Sequence, residues 1–254
     1  MTVFNPDTRV AICCYEGDQH QVVQSFGLYA HHHCPIVVLS PEDSKVNIAH
    51  PGVDITNLSA GKRAYIGQDS LDREREHLKL LLTFPEKYFF INDADSFCLD
   101  AEFPNYLYAE PDHVWSNVQP DGIPEHQPHF PPSWPHVAFQ PPYFLSRKTI
   151  EAMLAVADRI TASPMMPFID FYMVQLTMTA GLSWKNFLSG VSVCIAPQEG
   201  PLDAERAGGY ERGLKIGLAH VRRGANMIHS VKNPLGARLV MQEYQRYLDS
   251  RARS

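Results

Sequence analysis

The stretch YFFINDADS, residues 88–96, decides the fold of this chain. Its first four residues, Tyr88 to Ile91, are aromatic or apolar, which is typical of a buried β-strand. Two carboxylates follow at once, Asp93 and Asp95, with one residue between them. Like charges this close would repel one another at the end of a buried strand, and a divalent cation is the natural counter-charge.

The same pair can also be interpreted as an ordinary surface turn, because aspartate and asparagine are common in turns. The aromatic strand before Asp93 and Asp95 favours the metal site. Mg²⁺ and Mn²⁺ prefer oxygen ligands, and they commonly combine one or two carboxylates with phosphate oxygens and water. The sequence therefore predicts a Mn²⁺ or Mg²⁺ site that holds a phosphate-bearing ligand.

The N-terminal segment predicts a β-α-β unit. A strand is predicted over residues 10–15, followed by a polar turn over 16–18, a helix that runs toward residue 31, and a second strand over 35–39. Such units build parallel sheets, and ligands bind at the carboxyl ends of their strands. We therefore expect one α/β domain with a central, mostly parallel sheet flanked by helices.

Later elements follow from apolar spacing. Leucines at helical spacing predict a helix that starts with a cap at Asp69 or Ser70 and ends before Pro85. A strand is predicted over residues 113–118, and the eight prolines between residues 120 and 142 are expected to exclude a regular helix or central strand. Three more helices are predicted, across residues 150–160, from about 167 to 181, and after Pro234.

Composition limits the function classes. With 254 residues and 44% hydrophobic residues, the chain can bury a sizeable core, and its net charge of −6 argues against general nucleic-acid binding. No apolar window is long enough for a membrane span and no signal peptide is apparent, so a soluble, cytoplasmic protein is expected. Five cysteines without CxxC spacing indicate reduced thiols.

The strand and its Asp93-Ala94-Asp95 motif resemble the DXD strand of GT-A glycosyltransferases, and the order of elements is similar to that family over most of the chain. The resemblance extends to small members without a membrane anchor. It implies a single Rossmann-like domain over residues 1–254, with a nucleotide-sugar half over 1–100 and an acceptor half over 101–254. It further implies metal-dependent transfer of a hexosyl or pentosyl group from a nucleoside diphosphate donor, with a UDP-sugar favoured, to an acceptor hydroxyl.

The resemblance also assigns roles to individual residues. Asp95 would bind the metal, Asp93 the metal or the ribose, and His229 is the implied third metal ligand, although a single late histidine can equally be a structural one. Arg73 would contact sugar or phosphate, unless it lies on a solvated helix face. The residues implied to bind the nucleotide-sugar are Tyr15, Ser40, Asp43, Arg73, Asp93 and Lys232.

In the acceptor half, Asp170 matches the acidic residue that faces the acceptor and serves inverting members as general base. An aspartate in a first helical turn is also favoured by the helix dipole without any catalytic role. Ile169 stands where the family has a second acidic residue, so inverting and retaining chemistry both stay open. Trp134, in the proline-rich segment, is a candidate for stacking against an acceptor sugar.

Two other functions compete with glycosyl transfer. A nucleotidyltransferase also binds a nucleotide and a divalent metal through paired carboxylates, but it usually carries a glycine-rich phosphate loop, and only the Glu16-Gly17-Asp18 turn stands near the N-terminus. A non-catalytic nucleotide-sugar-binding module could keep the same fold and metal site. A histidine-rich metal hydrolase is disfavoured because no HxxxH or HExxH spacing is present.

Overall fold

The structure is a computed structural model that describes residues 5–19, 22, 34–64, 67–98, 106–120, 137–161, 169–187, 190–192, 214–223, 227–229 and 234–253. Within these ranges the chain forms a seven-stranded sheet and a separate three-stranded sheet. The strands are β1 (Thr8–Cys13), β2 (Ile36–Ser40), β3 (Ile55–Ser59), β4 (Tyr88–Asp93), β5 (Phe97–Cys98), β6 (Val114–Pro120), β7 (Val137–Ser146), β8 (Trp184–Asn186), β9 (Gly190–Ser192) and β10 (Met227–His229).

Helices connect and cover these strands. They are α1 (Gly67–Leu81), α2 (Tyr106–Ala109), α3 (Arg147–Ala157), α4 (Ile169–Thr179), α5 (214–222) and α6 (Pro234–Arg251), with a short 3₁₀ turn at Glu16–Asp18. The helix predicted toward residue 31 falls mostly outside the described residues. No helix in the described part of the chain is long and apolar enough to cross a membrane.

The large sheet has the strand order β3-β2-β1-β4-β7-β6-β8. Strands β1 to β4 run parallel, β7 runs antiparallel between β4 and β6, and β8 is parallel to β6. The prediction of an α/β fold with a mostly parallel sheet is confirmed. Because β1 lies between β2 and β4, the carboxyl ends of all three strands meet at one edge of the sheet.

Alternate residues of each strand face opposite sides of the sheet, and each side has its own core. Ala11, Phe89 and Ile91 face a core that also contains buried residues of α1, α3 and α4. Val10 and Phe90 face the other side, where their core is completed by residues of shorter segments that include Ile48 and Leu107. The helices α1, α3 and α4 therefore pack on the same face of the sheet.

The proline argument was wrong for Pro141 and Pro142, because both residues lie within β7, a central strand of the sheet. Proline lacks a backbone N–H, so it disrupts a sheet only where its neighbours require that donor. Pairing with β4 begins at Tyr143, and pairing with β6 passes from Tyr143 to Gln140 across a register shift. Both prolines lie in this unpaired interval, where no ladder hydrogen bond is required of them.

Three of the five cysteines lie within the described residues with their side chains. Cys13, Cys14 and Cys34 are free thiols, as the absence of CxxC spacing predicted. Burial raises the pKa of Cys14 and of Cys34 to about 12. These two thiols are therefore unreactive as nucleophiles near neutral pH.

Candidate active site

The two aspartates after β4 are more exposed than their neighbours. Asn92, Ala94 and Ser96 are 1%, 4% and 3% exposed, whereas Asp93 and Asp95 between them are half-buried. The buried residues fix the turn to the core, and both aspartates stay accessible at the carboxyl end of β4.

Hydrogen bonds hold this turn in place. The Ala94 backbone N–H donates to the Cys13 carbonyl over 2.9 Å, so the turn is joined to the end of β1. The Ser96 N–H donates to the Asp93 carbonyl over 3.0 Å, and the Asn92 side-chain amide donates to the Ser96 carbonyl over 3.1 Å. The backbone that carries the two aspartates is therefore rigid before any ligand binds.

This pair fits a hard divalent cation. Two short carboxylates on a fixed turn supply the oxygen ligands that Mg²⁺ and Mn²⁺ prefer, and phosphate or water completes such a shell. Among the residues whose side chains are described, no cluster of three His, Cys, Asp or Glu side chains could hold a metal ion.

The candidate third ligand, His229, is described only in its backbone. Strand β10 runs antiparallel to β5, with Ile228 opposite Phe97. One residue further along, the backbone of His229 comes level with Ser96, at the end of the acidic turn. The topology thus brings His229 next to Asp93 and Asp95, and its role as a ligand stays a prediction.

At the end of β1, the ring of Tyr15 lies close to two arginines. The Arg73 Nη1 donates to the Tyr15 hydroxyl over 2.6 Å and to the Ala64 carbonyl over 2.5 Å. The guanidinium carbons of Arg63 and Arg73 lie 5.2 and 5.6 Å from the centre of the Tyr15 ring. Two positive charges therefore share one aromatic ring beside the acidic turn.

Arg73 was predicted either to face the ligand or to lie on a solvated helix surface. It is 6% exposed and anchored to Tyr15, so the solvated position is excluded. Whether it contacts sugar or phosphate stays a prediction. Arg63 was not identified from the sequence, since the segment that carries it has no helical or strand periodicity.

The other two residues predicted at the nucleotide edge have different surroundings. Ser40 is 2% exposed, and its hydroxyl is 2.9 Å from the Ser59 hydroxyl and 3.4 Å from the Leu58 carbonyl, inside the sheet. Asp43 is exposed and accepts a hydrogen bond of 3.0 Å from the backbone N–H of Arg63. Asp43 thus fixes the chain that carries Arg63, and a ligand contact by either residue stays a prediction.

Asp170, in the first turn of α4, belongs to the same region as the acidic turn. Burial raises the pKa of the Tyr143 phenol well above its usual value, and the negative charges of Asp170, Asp93 and Glu74 raise it further. Tyr143 pairs with Ile91 in the sheet, two residues before Asp93. All three carboxyl groups are therefore within electrostatic range of Tyr143, although Asp170 and Asp93 are far apart in sequence.

Two polar residues on the buried face of α1 were not predicted. Glu74 is 6% exposed and His77 is 3% exposed, and they interrupt the row formed by Leu71, Leu78 and Leu81. The signal was present in the sequence, because charged residues stand at helical positions that pack toward the core. Lys232 and Trp134 lie outside the described residues.

We expect Gly61→Ala to destabilise the protein more than Gly52→Ala does. Both glycines have positive φ, +69° and +76°, which costs an alanine about 1 kcal/mol. A Cβ at Gly61 would also lie 2.7 Å from the Cα and Cβ of Arg73, whereas a Cβ at Gly52 meets nothing within 4 Å. The contact should raise the loss for Gly61→Ala to about 3 kcal/mol.

Urea denaturation of the two variants measures this difference. Since the conformational cost is shared, the difference between the variants reports the packing of the residue 60–64 segment on Arg73. Equal free energies of unfolding for the two variants would show that residues 60–64 do not pack closely on Arg73.

Comparison with solved structures identifies the fold. The chain is similar to the crystal structure of the galactosyltransferase LgtC in complex with donor and acceptor sugar analogs, with a TM-score of 0.55 and 10% identity over 94% of this chain and 95% of LgtC. It also matches the glycosyltransferase GlyE of Streptococcus pneumoniae TIGR4, with a TM-score of 0.49 and 9% identity over 97% of this chain and 63% of GlyE.

No protein-family model and no curated protein matches the sequence. The likeness to LgtC covers nearly the whole of both chains at an identity that carries no information on individual residues. It shows that this chain has the GT-A fold, which the DXD strand predicted. The class of protein is thus glycosyltransferase-like in fold, and its particular activity rests on the site.

Proposed function

We propose that this protein is a metal-dependent glycosyltransferase that moves a sugar from a nucleoside diphosphate donor to an acceptor hydroxyl. A UDP-sugar is the favoured donor. The observation that carries the proposal is the rigid turn that presents Asp93 and Asp95 together at the carboxyl edge of a GT-A sheet. A turn without a function would not require two half-buried like charges at this edge.

Each site residue has a role in this proposal. Asp93 and Asp95, with His229, would hold Mn²⁺ or Mg²⁺, which when bound supplies positive charge beside a leaving diphosphate. Tyr15 would bind the nucleotide side of the donor, and Arg73 would contact its sugar or phosphate. Lys232, Ser40 and Asp43 keep their sequence-based assignment to the diphosphate and the base. The nucleotide half over residues 1–100 and the acceptor half over 101–254 are part of the proposal.

Asp170 would accept the proton of the acceptor hydroxyl. The electrostatic effect of both Asp170 and Asp93 on Tyr143 supports this role, because a general base must lie in the same region as the donor site. Stereochemistry depends on the same residue: an inverting enzyme needs this base, whereas a retaining one can take assistance from the leaving phosphate.

Calorimetric titration tests the donor site. UDP, GDP, UDP-glucose and UDP-galactose are titrated into the protein with Mn²⁺ and then with a chelator. We expect one diphosphate to bind, and its binding to be lost in the chelator. No binding by any of them up to millimolar concentration, about −4 kcal/mol, would overturn the proposal. Release of nucleoside diphosphate distinguishes glycosyl transfer from nucleotidyl transfer, which releases pyrophosphate.

We expect Asp170→Asn to lower kcat by about 10²-fold or more if Asp170 is the general base, because asparagine cannot accept the proton. Donor affinity should stay unchanged, since the acceptor is absent from that measurement. The control is Asp158→Asn, a change on an aspartate whose side chain is 93% exposed at the end of α3. A kcat within about threefold of the unmodified protein would remove Asp170 as base and favour a retaining reaction.

A further inference from the structure

Glu74 occupies a position where the helix pattern calls for an apolar residue. It lies three residues after Leu71 and four before Leu78, on the face of α1 that packs against the sheet, and it is 6% exposed. Burial of a carboxyl group is unfavourable unless a partner compensates for the lost water. A carboxyl retained at such a position therefore indicates a role other than packing.

Within the described residues, the Glu74 carboxyl has no hydrogen-bond partner. The His77 Nδ1 lies 4.0 Å from the Glu74 Oε2, which is beyond hydrogen-bond distance. Burial, with the charge of Arg73 acting in the same direction, lowers the pKa of His77 to about 4, so the imidazole is neutral and forms no ion pair. The Ser70 hydroxyl, one turn before Glu74, also has no partner.

The surroundings of Glu74 are those of the candidate active site. Burial raises the pKa of the Cys13 thiol, and the negative charges of Glu74 and Asp93 raise it further. Cys13 pairs with Asp93 across β1 and β4. The negative charges of Asp93 and Glu74 also raise the pKa of Tyr143, which is raised first by burial. The residues that flank Glu74 on this face of α1, Leu71 and Leu78, share a core with Ala11 of β1, Ile91 of β4 and Phe171, the neighbour of Asp170. Glu74 therefore lies on the side of α1 that faces these elements.

A carboxyl group at this position suits the hydroxyl groups of a sugar. Burial raises the pKa of Glu74, and the positive charge of Arg73 offsets only part of that rise. In either protonation state a carboxyl group accepts hydrogen bonds from hydroxyl groups. A phosphate offers no such donor and would be repelled by the ionised form.

We propose that Glu74 is a specificity-determining residue that hydrogen-bonds hydroxyl groups of the transferred sugar. The inference rests on the proposed function and adds to it the residue that distinguishes a sugar-bearing donor from the bare nucleotide. Asp93 faces the diphosphate in that proposal and Asp170 faces the acceptor, so the sugar would lie between them. Glu74 is within electrostatic range of Tyr143, as both aspartates are.

The test compares Glu74→Leu with Glu74→Gln. Leucine continues the apolar row of α1 and removes both hydrogen-bonding atoms, whereas glutamine keeps a donor and an acceptor in nearly the same shape. Titrations of UDP, UDP-glucose and UDP-galactose are made with Mn²⁺, or of GDP and GDP-mannose if GDP is the nucleotide that binds. Thermal unfolding of each variant shows that it is folded, and Glu74→Met replaces Glu74→Leu if leucine prevents folding.

We expect Glu74→Leu to bind the preferred nucleotide-sugar about tenfold more weakly and to bind the bare diphosphate within about twofold of the unmodified protein, because only the sugar loses hydrogen bonds. Glu74→Gln should keep sugar affinity within about threefold. A purely structural role would not change the ratio of the two affinities. An unchanged ratio in Glu74→Leu, or equal loss of both ligands, would overturn the inference while the proposed function stands. Failure of the unmodified protein to bind any nucleotide would overturn both.

Discussion

Asp95→Ala should abolish metal-dependent sugar transfer, lowering turnover by about 10³-fold or more. Asp95 is half-buried on the turn after β4, and alanine leaves a single carboxylate at the edge of the sheet. Loss of one of the two carboxylate ligands weakens the binding of Mn²⁺ or Mg²⁺ and misplaces the positive charge that stabilises the leaving diphosphate. The measurement is release of nucleoside diphosphate from the donor identified by calorimetry, at saturating acceptor and over a series of Mn²⁺ concentrations.

The loss of turnover in Asp95→Ala must be distinguished from unfolding of the variant. The bonds of the Ala94 and Ser96 backbone and of the Asn92 side chain do not involve the Asp95 carboxylate, which accepts a long hydrogen bond of 3.5 Å from the Ser96 hydroxyl. Losing that long bond should leave the melting temperature within about 2 °C. Asp158→Ala is the matched control: that aspartate is 93% exposed, and its contact with Arg75, at 3.3 Å, is a surface ion pair. Asp95→Ala turnover near the unmodified level would reduce the acidic pair to an ordinary turn.

His77→Gln should make the protein less sensitive to acid. Burial, together with the charge of Arg73, lowers the folded-state pKa of His77 from 6.5 to about 4. Between these values the unfolded chain binds the proton and the folded chain does not, so stability present above pH 6.5 is lost as the pH falls toward 4. The full shift corresponds to about 3 kcal/mol.

Glutamine stays neutral throughout this range, so the variant should lose up to about 3 kcal/mol less stability than the unmodified protein between pH 6.5 and 4. Urea denaturation at several pH values gives the difference in slope. Stability at pH 8, where His77 is neutral in both states, reports the packing cost of glutamine separately. Parallel slopes for the two proteins would show that His77 is not buried as a neutral ring.

The titration of Glu74 changes the stability in the opposite direction with pH, so the experiment must account for it. Its folded-state pKa is raised, so its contribution to stability is present below the unfolded value and is lost as the pH rises. Because the Oε2 lies 4.0 Å from the His77 Nδ1, the two titrations can be coupled. The His77→Gln comparison is therefore repeated in a Glu74→Gln background, and the slope that persists there belongs to His77 alone.

The local parts of the fold followed from local patterns. The aromatic run before Asp93 became β4, and the leucines of α1 became a buried helical face, although α1 begins at Gly67 rather than at the predicted cap near Asp69. Strand β3 and the short strands β8 to β10 were not predicted. They are three to five residues long, and their pairing with distant segments rather than their own composition makes them strands.

The row of leucines on α1 shows what helical spacing cannot predict. The leucines predict which side of the helix is buried, but the spacing does not predict that Glu74 and His77 are buried with them, because charged residues usually lie outside. Their burial depends on what α1 meets, which is the sheet edge that also carries Cys13 and Asp93. Proline was misjudged in the same way: Pro141 and Pro142 fit a central strand because a register shift leaves them without ladder partners.

The sequence by itself determined that a buried strand ends in Asp93 and Asp95, because strand length, aromatic composition and the order of neighbouring residues are local properties. It also determined the α/β class through the alternation of strands and helices. Only the tertiary structure decided that Arg73 is anchored on Tyr15, that the charges of Asp170 and Glu74 both act on Tyr143, and that His229 comes level with the acidic turn. These groups lie up to about half the chain apart, and their meeting depends on how the strands are ordered in the sheet, which no local pattern specifies.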